Sequence, residues 1–306
     1  MEKVLEISNL TKKYASKTAV DHISFSVKQG SCFGLLGPNG AGKSTTMKII
    51  TGIIGYDSGE VKVLGHDNRQ KSDEIKQQTG YVPQEITVYD KLSAFNNLLF
   101  FGELYGLKGN ELKKRIDEVL EQVGLKEHSS SPVKTFSGGM KRRINIAAAL
   151  LHKPRLLILD EPTVGIDPQS RNHIFNMMKE LKSQGITVIY STHYMEEVEA
   201  LCDDITIIDH GKIIAKGALN DVLEKYAPSA IYLESEDIAE APVFKHDVKV
   251  YAKDKGWIIE SAHVMETMQD IAQDALNRKI KVKELGIVRP SLETVFLSLT
   301  GTSLRD

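Results

Sequence analysis

The run Gly37-Pro38-Asn39-Gly40-Ala41-Gly42-Lys43-Ser44 restricts the fold of this chain more than any other stretch. It fits the spacing G-x-x-x-x-G-K-[ST] and stands between the apolar run Cys32–Leu36 and a helical pattern over Ser44–Thr51. The glycines let successive N–H groups curl around phosphate oxygens with no Cβ in the way. A helix opening directly behind the loop adds unpaired N–H groups and the positive end of its dipole. Lys43 is then placed for the β- and γ-phosphates of a nucleotide, and the Ser44 hydroxyl for Mg²⁺. A tight glycine turn that binds nothing would need neither side chain.

A loop of this kind requires a carboxylate on a neighbouring strand. Leu156–Leu159 is a continuous apolar run, as expected of a strand buried on both faces, and it ends in Asp160-Glu161. Asp160 belongs near the metal, and Glu161 is the candidate to polarise an attacking water. Ile186–Tyr190 and Ile205–Ile208 read as further strands, separated by a helical stretch Tyr194–Leu201. Strands alternating with helices predict a mainly parallel α/β core. Ahead of it, Val4, Leu5 and Ile7, then Ile23, Phe25 and Val27, alternate with polar residues and predict an N-terminal antiparallel β part. From Glu85 the pattern is helical only. Ser93 can cap a helix running to Tyr105, and Gly109 or Asn110 opens another through Val123, so a helical insertion is placed at about residues 85–150.

The character changes near Ala227-Pro228-Ser229. Ile231–Leu233, His246–Ala252 and Trp257–Glu260 read as strands, the last two joined by a Lys253-Asp254-Lys255-Gly256 turn. Val264, Met268, Ile271 and Ala275 share a helical face; Ile280, Val282 and Leu285 supply another strand. Pro290 starts a terminal helix carrying Leu292, Val295, Phe296 and Leu299. The expected division is an α/β domain at 1–219 and a small α+β domain at 220–306, regulatory or dimerising.

With 306 residues, 41% of them hydrophobic, the chain can bury a core in both parts. A net charge of −2 carries no basic excess, so nucleic acid is not an expected partner. Two cysteines, Cys32 and Cys202, read as reduced core residues of a cytosolic protein. Leu98-Leu99-Phe100-Phe101, flanked by Asn97, Gly102 and Glu103, is too short to cross a bilayer. Glu2 and Glu6 leave no secretory apolar region at the N-terminus.

Phe136-Ser137-Gly138-Gly139-Met140-Lys141-Arg142-Arg143 is a second anion-binding design at a helix start, nearly a hundred residues after the first. Its use follows from company. LLGPNGAGKSTTMKII, TGYVPQE, TFSGGMKRRINIAAAL, LLILDEPTVGID and STHYMEE, in that order over about residues 3–217, resemble the nucleotide-binding domains of ABC transporters. The resemblance implies a P-loop NTPase core of ABC ATPase type binding ATP and Mg²⁺ through Gly37–Thr45, with Thr45 among the contacts. Tyr14 resembles the aromatic that stacks on adenine. Gln84 resembles the glutamine that touches Mg²⁺ or the water and senses the membrane partner. Asp167 resembles the aspartate linking two active sites, and His193 the switch histidine at the γ-phosphate.

FSGGM resembles the family signature LSGGQ, with Phe136 in place of leucine and Met140 in place of glutamine. The resemblance implies a head-to-tail homodimer in which Ser137, Gly138 and Gly139 of one subunit close on the other's ATP. Met140 is left out of the site. Lys141, Arg142 and Arg143 receive no role, as residues of the helix surface or loose phosphate neighbours.

VDHISFSVKQG, SGEVKVLGHD and PSLETVFLSLTG are similar to ATPase subunits of the daunorubicin-resistance type. Those serve exporters of drugs, lipids or polysaccharides whose membrane domains are separate chains. That implies an integral membrane permease as partner and a place on the cytoplasmic face of the cell membrane. The rival readings are a soluble ABC ATPase of translation or DNA repair, a nucleotide-gated module without turnover, and a small-molecule kinase. The first usually carries two fused cores or a long coiled coil. Glu161 and His193 speak against the second, and the third leaves FSGGM without a purpose.

Overall fold

The computed structural model describes residues 2–15, 17–237, 244 and 247–300. They divide into two units, one ending at Leu219 and the other beginning at Asn220.

In the first unit, β1 (Lys3–Tyr14) and β2 (Lys17–Lys28) form an antiparallel pair. The chain then turns inward as β3 (Cys32–Leu36), passes through the glycine loop, and enters α1 (Lys43–Ile50). β4 (Ser58–Val63) returns beside β1, and the two-residue β5 (His66–Asp67) completes a four-stranded sheet of order β2-β1-β4-β5. Apolar residues on one face of this sheet, among them Leu5, Ile7, Ile23 and Val61, are buried with Phe33 and Leu35 of β3 and Met47 and Ile50 of α1. Each large apolar side chain removed from water in that core is worth about 1.5–3 kcal/mol. This packing fixes where the glycine loop stands.

After α2 (Ser72–Lys76) and β6 (Thr79–Val82) comes the helical insertion, α3 (Ala94–Leu104), α4 (Gly109–Gln122) and α5 (Gly138–Leu150). Ser93 does cap α3, its side chain accepting the Asn96 N–H at 3.1 Å. Leu112, Ile116, Val119 and Leu120 put the buried face of α4 on the helical period. The chain re-enters the core as β7 (Leu156–Asp160), α6 (Pro168–Ser183), β8 (Thr187–Thr192), α7 (Met195–Leu201), β9 (Asp204–Asp209) and β10 (Lys212–Ala218). The second sheet has the order β10-β9-β3-β8-β7-β6, with β9, β3, β8, β7 and β6 parallel and β10 antiparallel at the edge.

β8 runs to Thr192, two residues past the apolar run that marked it. Its polar end is buried because Ser191 and Thr192 donate their hydroxyls to Asp160 and Glu197. The edge strand β10, half exposed, carries no clear alternation. Cys32 and Cys202 are both buried and free, their sulfurs 3.6 Å apart.

The second unit holds an antiparallel sheet of Lys249–Lys253, Gly256–Glu260, Ala230–Ser235 and Val282–Val288, in that order. Helix Val264–Arg278 presents Ile271 to Ile231, Leu233 and Ile259. Three expectations need correction or completion. Ile280 closes the turn after the helix, its N–H on the Ala275 carbonyl, so the strand begins at Val282. The last helix begins at Leu292 rather than at Pro290, because Ser291 accepts the Thr294 N–H at 3.3 Å. His246, which the sequence reading placed in a strand, lies outside the described residues.

Candidate active site

Register brings the site together. Leu36 of β3 pairs with Thr192 of β8, and Ser191 pairs with Asp160 of β7, so three neighbouring parallel strands end flush. Beyond those ends stand the glycine loop, His193 and Glu161. Such a crevice at the carboxyl ends of parallel strands is where open α/β sheets bind ligands.

The glycines of the loop are demanded by its neighbours. Gly37 and Gly42 have φ of 151° and 110°, and a Cβ would strike the backbone carbonyls of Ile208 and Ala19 respectively. Gly42 gives α1 no side-chain cap and its first turn holds no acidic residue, which leaves the leading N–H groups to an anion. Pro38 and Ala41 are buried, Asn39 and Gly40 exposed, and Thr45 half-buried.

Lys43 is turned inward. Its Nζ donates to the carbonyls of Gly37 at 2.8 Å and Pro38 at 3.2 Å. It also meets Glu161 Oε1 at 3.0 Å, with 4% of each side chain exposed. The other carboxylate oxygen of Glu161 lies 3.3 Å from His193 Nδ1 and 3.5 Å from Gln84 Nε2. Lys43, Gln84, Glu161 and His193 thus form one cluster. Glu161 has φ of 48°, a left-handed conformation costly for a residue with a side chain, and its N–H is held by the Ser191 carbonyl at 3.0 Å.

Asp160 stands beside them. Its Oδ1 accepts from Ser191 Oγ at 2.7 Å and Ser44 Oγ at 3.2 Å, and Tyr81 OH is 3.5 Å from Oδ2. Burial, and then the Asp160 charge, push the Tyr81 phenol well above its ordinary range, so it stays a neutral donor. Ser44 and Asp160, with the Gln84 amide at the same crevice, are the hard oxygen donors that Mg²⁺ takes.

The signature residues lie elsewhere on the chain. Ser137 is the N-cap of α5, exposed, its hydroxyl accepting the Met140 N–H at 3.2 Å. Gly138 is open, while Gly139 is buried where a Cβ would overlap the Ser170 side chain. Asp167 caps α6 by accepting the Ser170 N–H at 2.9 Å, and that bond holds its carboxyl below the ordinary range. Within one chain, the signature and Asp167 therefore meet at Ser170. Tyr14 sits 47% exposed at the end of β1, with Lys12 Nζ 5.2 Å from its ring centre.

The basic residues after FSGGM correct the sequence reading. Arg142 is 4% exposed, and its guanidinium donates to the carbonyls of Pro83 at 2.7 Å and Gln84 at 2.6 Å. It ties the signature helix to the segment that carries Gln84. Arg143 bonds the Val123 carbonyl at 2.9 Å, and Lys141 pairs with Asp90 at 2.7 Å. The signal was available, because Arg142 lies on the α5 face of buried Gly139 and Ile146, at spacings of three and four. Tyr81 and Ser191, both partners of Asp160, were missed as well.

Relatives decide the family. Residues 20–164 match the family model described as ABC transporter. Over 311 residues the chain is 49% identical to the linearmycin resistance ATP-binding protein LnrL of Bacillus subtilis (strain 168), covering 99% of this chain and 100% of that one. The chain belongs to the ATP-binding subunits of ABC transporters. The daunorubicin/doxorubicin resistance ATP-binding protein DrrA of Streptomyces peucetius is 34% identical to it over 99% of this chain and 94% of that protein. A solved ATP-binding subunit of an ABC transporter superposes with a TM-score of 0.66 at 32% identity, over 73% of this chain and 93% of its own. This ABC subunit is an ATPase of the drug-exporter type, whose ATP hydrolysis powers transport. Subunits of this family dimerise and work with membrane permease components, which makes the protein membrane-associated. Among the described residues, no helix is long and apolar enough to cross a membrane. The soluble alternatives in translation and DNA repair are not favoured.

Proposed function

We propose that this ATPase works as a homodimer on the cytoplasmic face of the cell membrane, driving a separate integral permease that exports a drug. The buried Lys43–Glu161 pair, with Gln84 and His193 at its edge, carries the reading. The names of the relatives, resistance to linearmycin and to daunorubicin or doxorubicin, support the cargo class. The unit beginning at Asn220 serves dimerisation or regulation.

Tyr14 stacks on the adenine, and Gly37–Thr45 hold the phosphates. Ser44, Asp160 and Gln84 would hold Mg²⁺, which neutralises charge on the β- and γ-oxygens. A γ-phosphate reaching Lys43 competes with Glu161 for the same ammonium, and the carboxylate so released turns to a water in line with the phosphorus. His193 faces the same phosphate. The partner's signature closes over it: the Ser137 hydroxyl accepts from Met140 and keeps its own hydrogen to donate, while the start of α5 offers N–H groups at Gly138 and Gly139. Asp167 links the two sites across the dimer.

Glu161→Gln tests the assignment. ATP binding should persist while turnover falls by about 10²–10⁴-fold, the range of a lost general base. Hydrolysis at the wild-type rate would remove Glu161 from the mechanism.

A further inference from the structure

A second carboxylate, Glu197 of α7, is 2% exposed, yet among the described residues no lysine meets it. Three hydroxyls converge on it instead. Thr163 Oγ1 lies 2.7 Å from Oε1 and 2.9 Å from Oε2, while Tyr190 OH and Thr192 Oγ1 each stand 3.0 Å from Oε2. All three donors are fully buried. Arg171 of α6 approaches Oε1 with its Nε at 3.5 Å and lays its guanidinium 5.1 Å from the centre of the Tyr194 ring. An acid taken out of water is an expensive way to fill a core position, one that a packed apolar side chain would serve better. The use of this one lies in what its donors are attached to.

Thr163 follows Glu161 by two residues, in the loop that leads to Asp167. Thr192 immediately precedes His193, and its hydroxyl, while donating to Glu197, accepts the backbone N–H of Tyr194 at 2.9 Å. Of the neighbours of His193, Thr192 is therefore bonded to the carboxylate and Tyr194 is tied to it through Thr192. His193 itself has no hydrogen bond at Nδ1, and its bearing on Glu161 depends on where the backbone holds the ring. On the other side, the left-handed backbone at Glu161 persists only if the residues around it are held, and Thr163 is the bonded anchor downstream.

We infer that Glu197 is a positioning residue for ATP hydrolysis, holding the Glu161 loop and the His193 loop at a fixed separation through Thr163 and Thr192. It acts on the hydrolysis step and not on nucleotide capture, since among the described residues no hydrogen bond or ion pair runs from the glycine loop or Lys43 to Glu197, Thr163 or Thr192. The inference rests on the roles assigned above to Glu161 and His193.

The test uses Glu197→Gln and the milder Thr163→Val in the purified full chain, measuring kcat, the affinity for a fluorescent ATP analogue, and the melting temperature. Glu197→Gln should lower kcat by about tenfold or more while ATP affinity stays within about twofold, the signature of a contact that matters only during the reaction. Thr163→Val, which keeps the shape and removes one donor, should move kcat in the same direction by a smaller factor with little change in melting. Turnover within about twofold of wild type in both variants would overturn the inference. So would kcat, affinity and melting temperature falling together in both, which is the pattern of a packing role. Failure of the underlying reading looks different: Glu161→Gln would then still turn over. Loss of turnover in Glu161→Gln with normal kcat in both network variants defeats the inference alone.

Discussion

Lys43 and Glu161 are oppositely charged partners at 3.0 Å in a place where almost no water reaches. Removing one side of such a pair strands the other, at a cost of about 3–5 kcal/mol, whereas removing both charges costs far less. Lys43→Ala should therefore lose ATP affinity and stability together. Adding Glu161→Gln to it should restore much of the stability and none of the affinity, as read by urea unfolding and nucleotide binding on the same preparations. A double variant no more stable than Lys43→Ala would contradict the pairing. At this scale the sequence was most informative where function is local. Residues 37–44 form their own cradle, so spacing alone located it. Arg142 escaped because the carbonyls it binds belong to Pro83 and Gln84, 59 and 58 residues away along the chain. A residue that looked like one more surface cation was a long-range tie.

Elements meet in ways that pH can report. His152, just past the end of α5, stacks on Tyr105 at the end of α3 with ring centres 3.8 Å apart, and its Nε2 meets the Thr79 carbonyl of β6 at 3.2 Å. Burial lowers its pKa from an ordinary 6.5 to about 4. Between those values the unfolded chain binds the proton and the folded chain does not, so stability from this group is present above about 6.5 and is lost as pH falls towards about 4. His152→Phe keeps a ring on Tyr105 and removes the titration; its unfolding free energy should fall less steeply than wild type across that window. Parallel slopes would show that His152 is not what titrates. Apolar runs identified β3, β7, β8 and β9 because those strands are buried on both faces. They failed at the end of β8, where burial is satisfied by hydroxyl bonds, and at β10, an edge strand with one neighbour. The Ser291 cap was hidden by the proline beside it, which is the stronger helix-start signal in sequence.

For the whole molecule, the fold was legible because its ATP-site motifs fall at strand ends in chain order, and three of those strands end flush. What no single chain displays is the completed site. Ser137 and Gly138 stand exposed at the start of α5, bonded within their own helix, while the phosphate cradle opens at β3. In the proposed homodimer, two copies related by two-fold symmetry would supply each cradle with the other's signature. Mixing Lys43→Ala and Ser137→Ala proteins measures this directly. Each is inactive alone, and each hybrid dimer contains one doubly broken site and one intact site. Random exchange makes about half of the dimers hybrid, so ATPase activity should recover to roughly a quarter of the wild-type rate at equal mixing. No recovery at any ratio, under conditions where the two proteins exchange subunits, would contradict an ATP site shared between subunits.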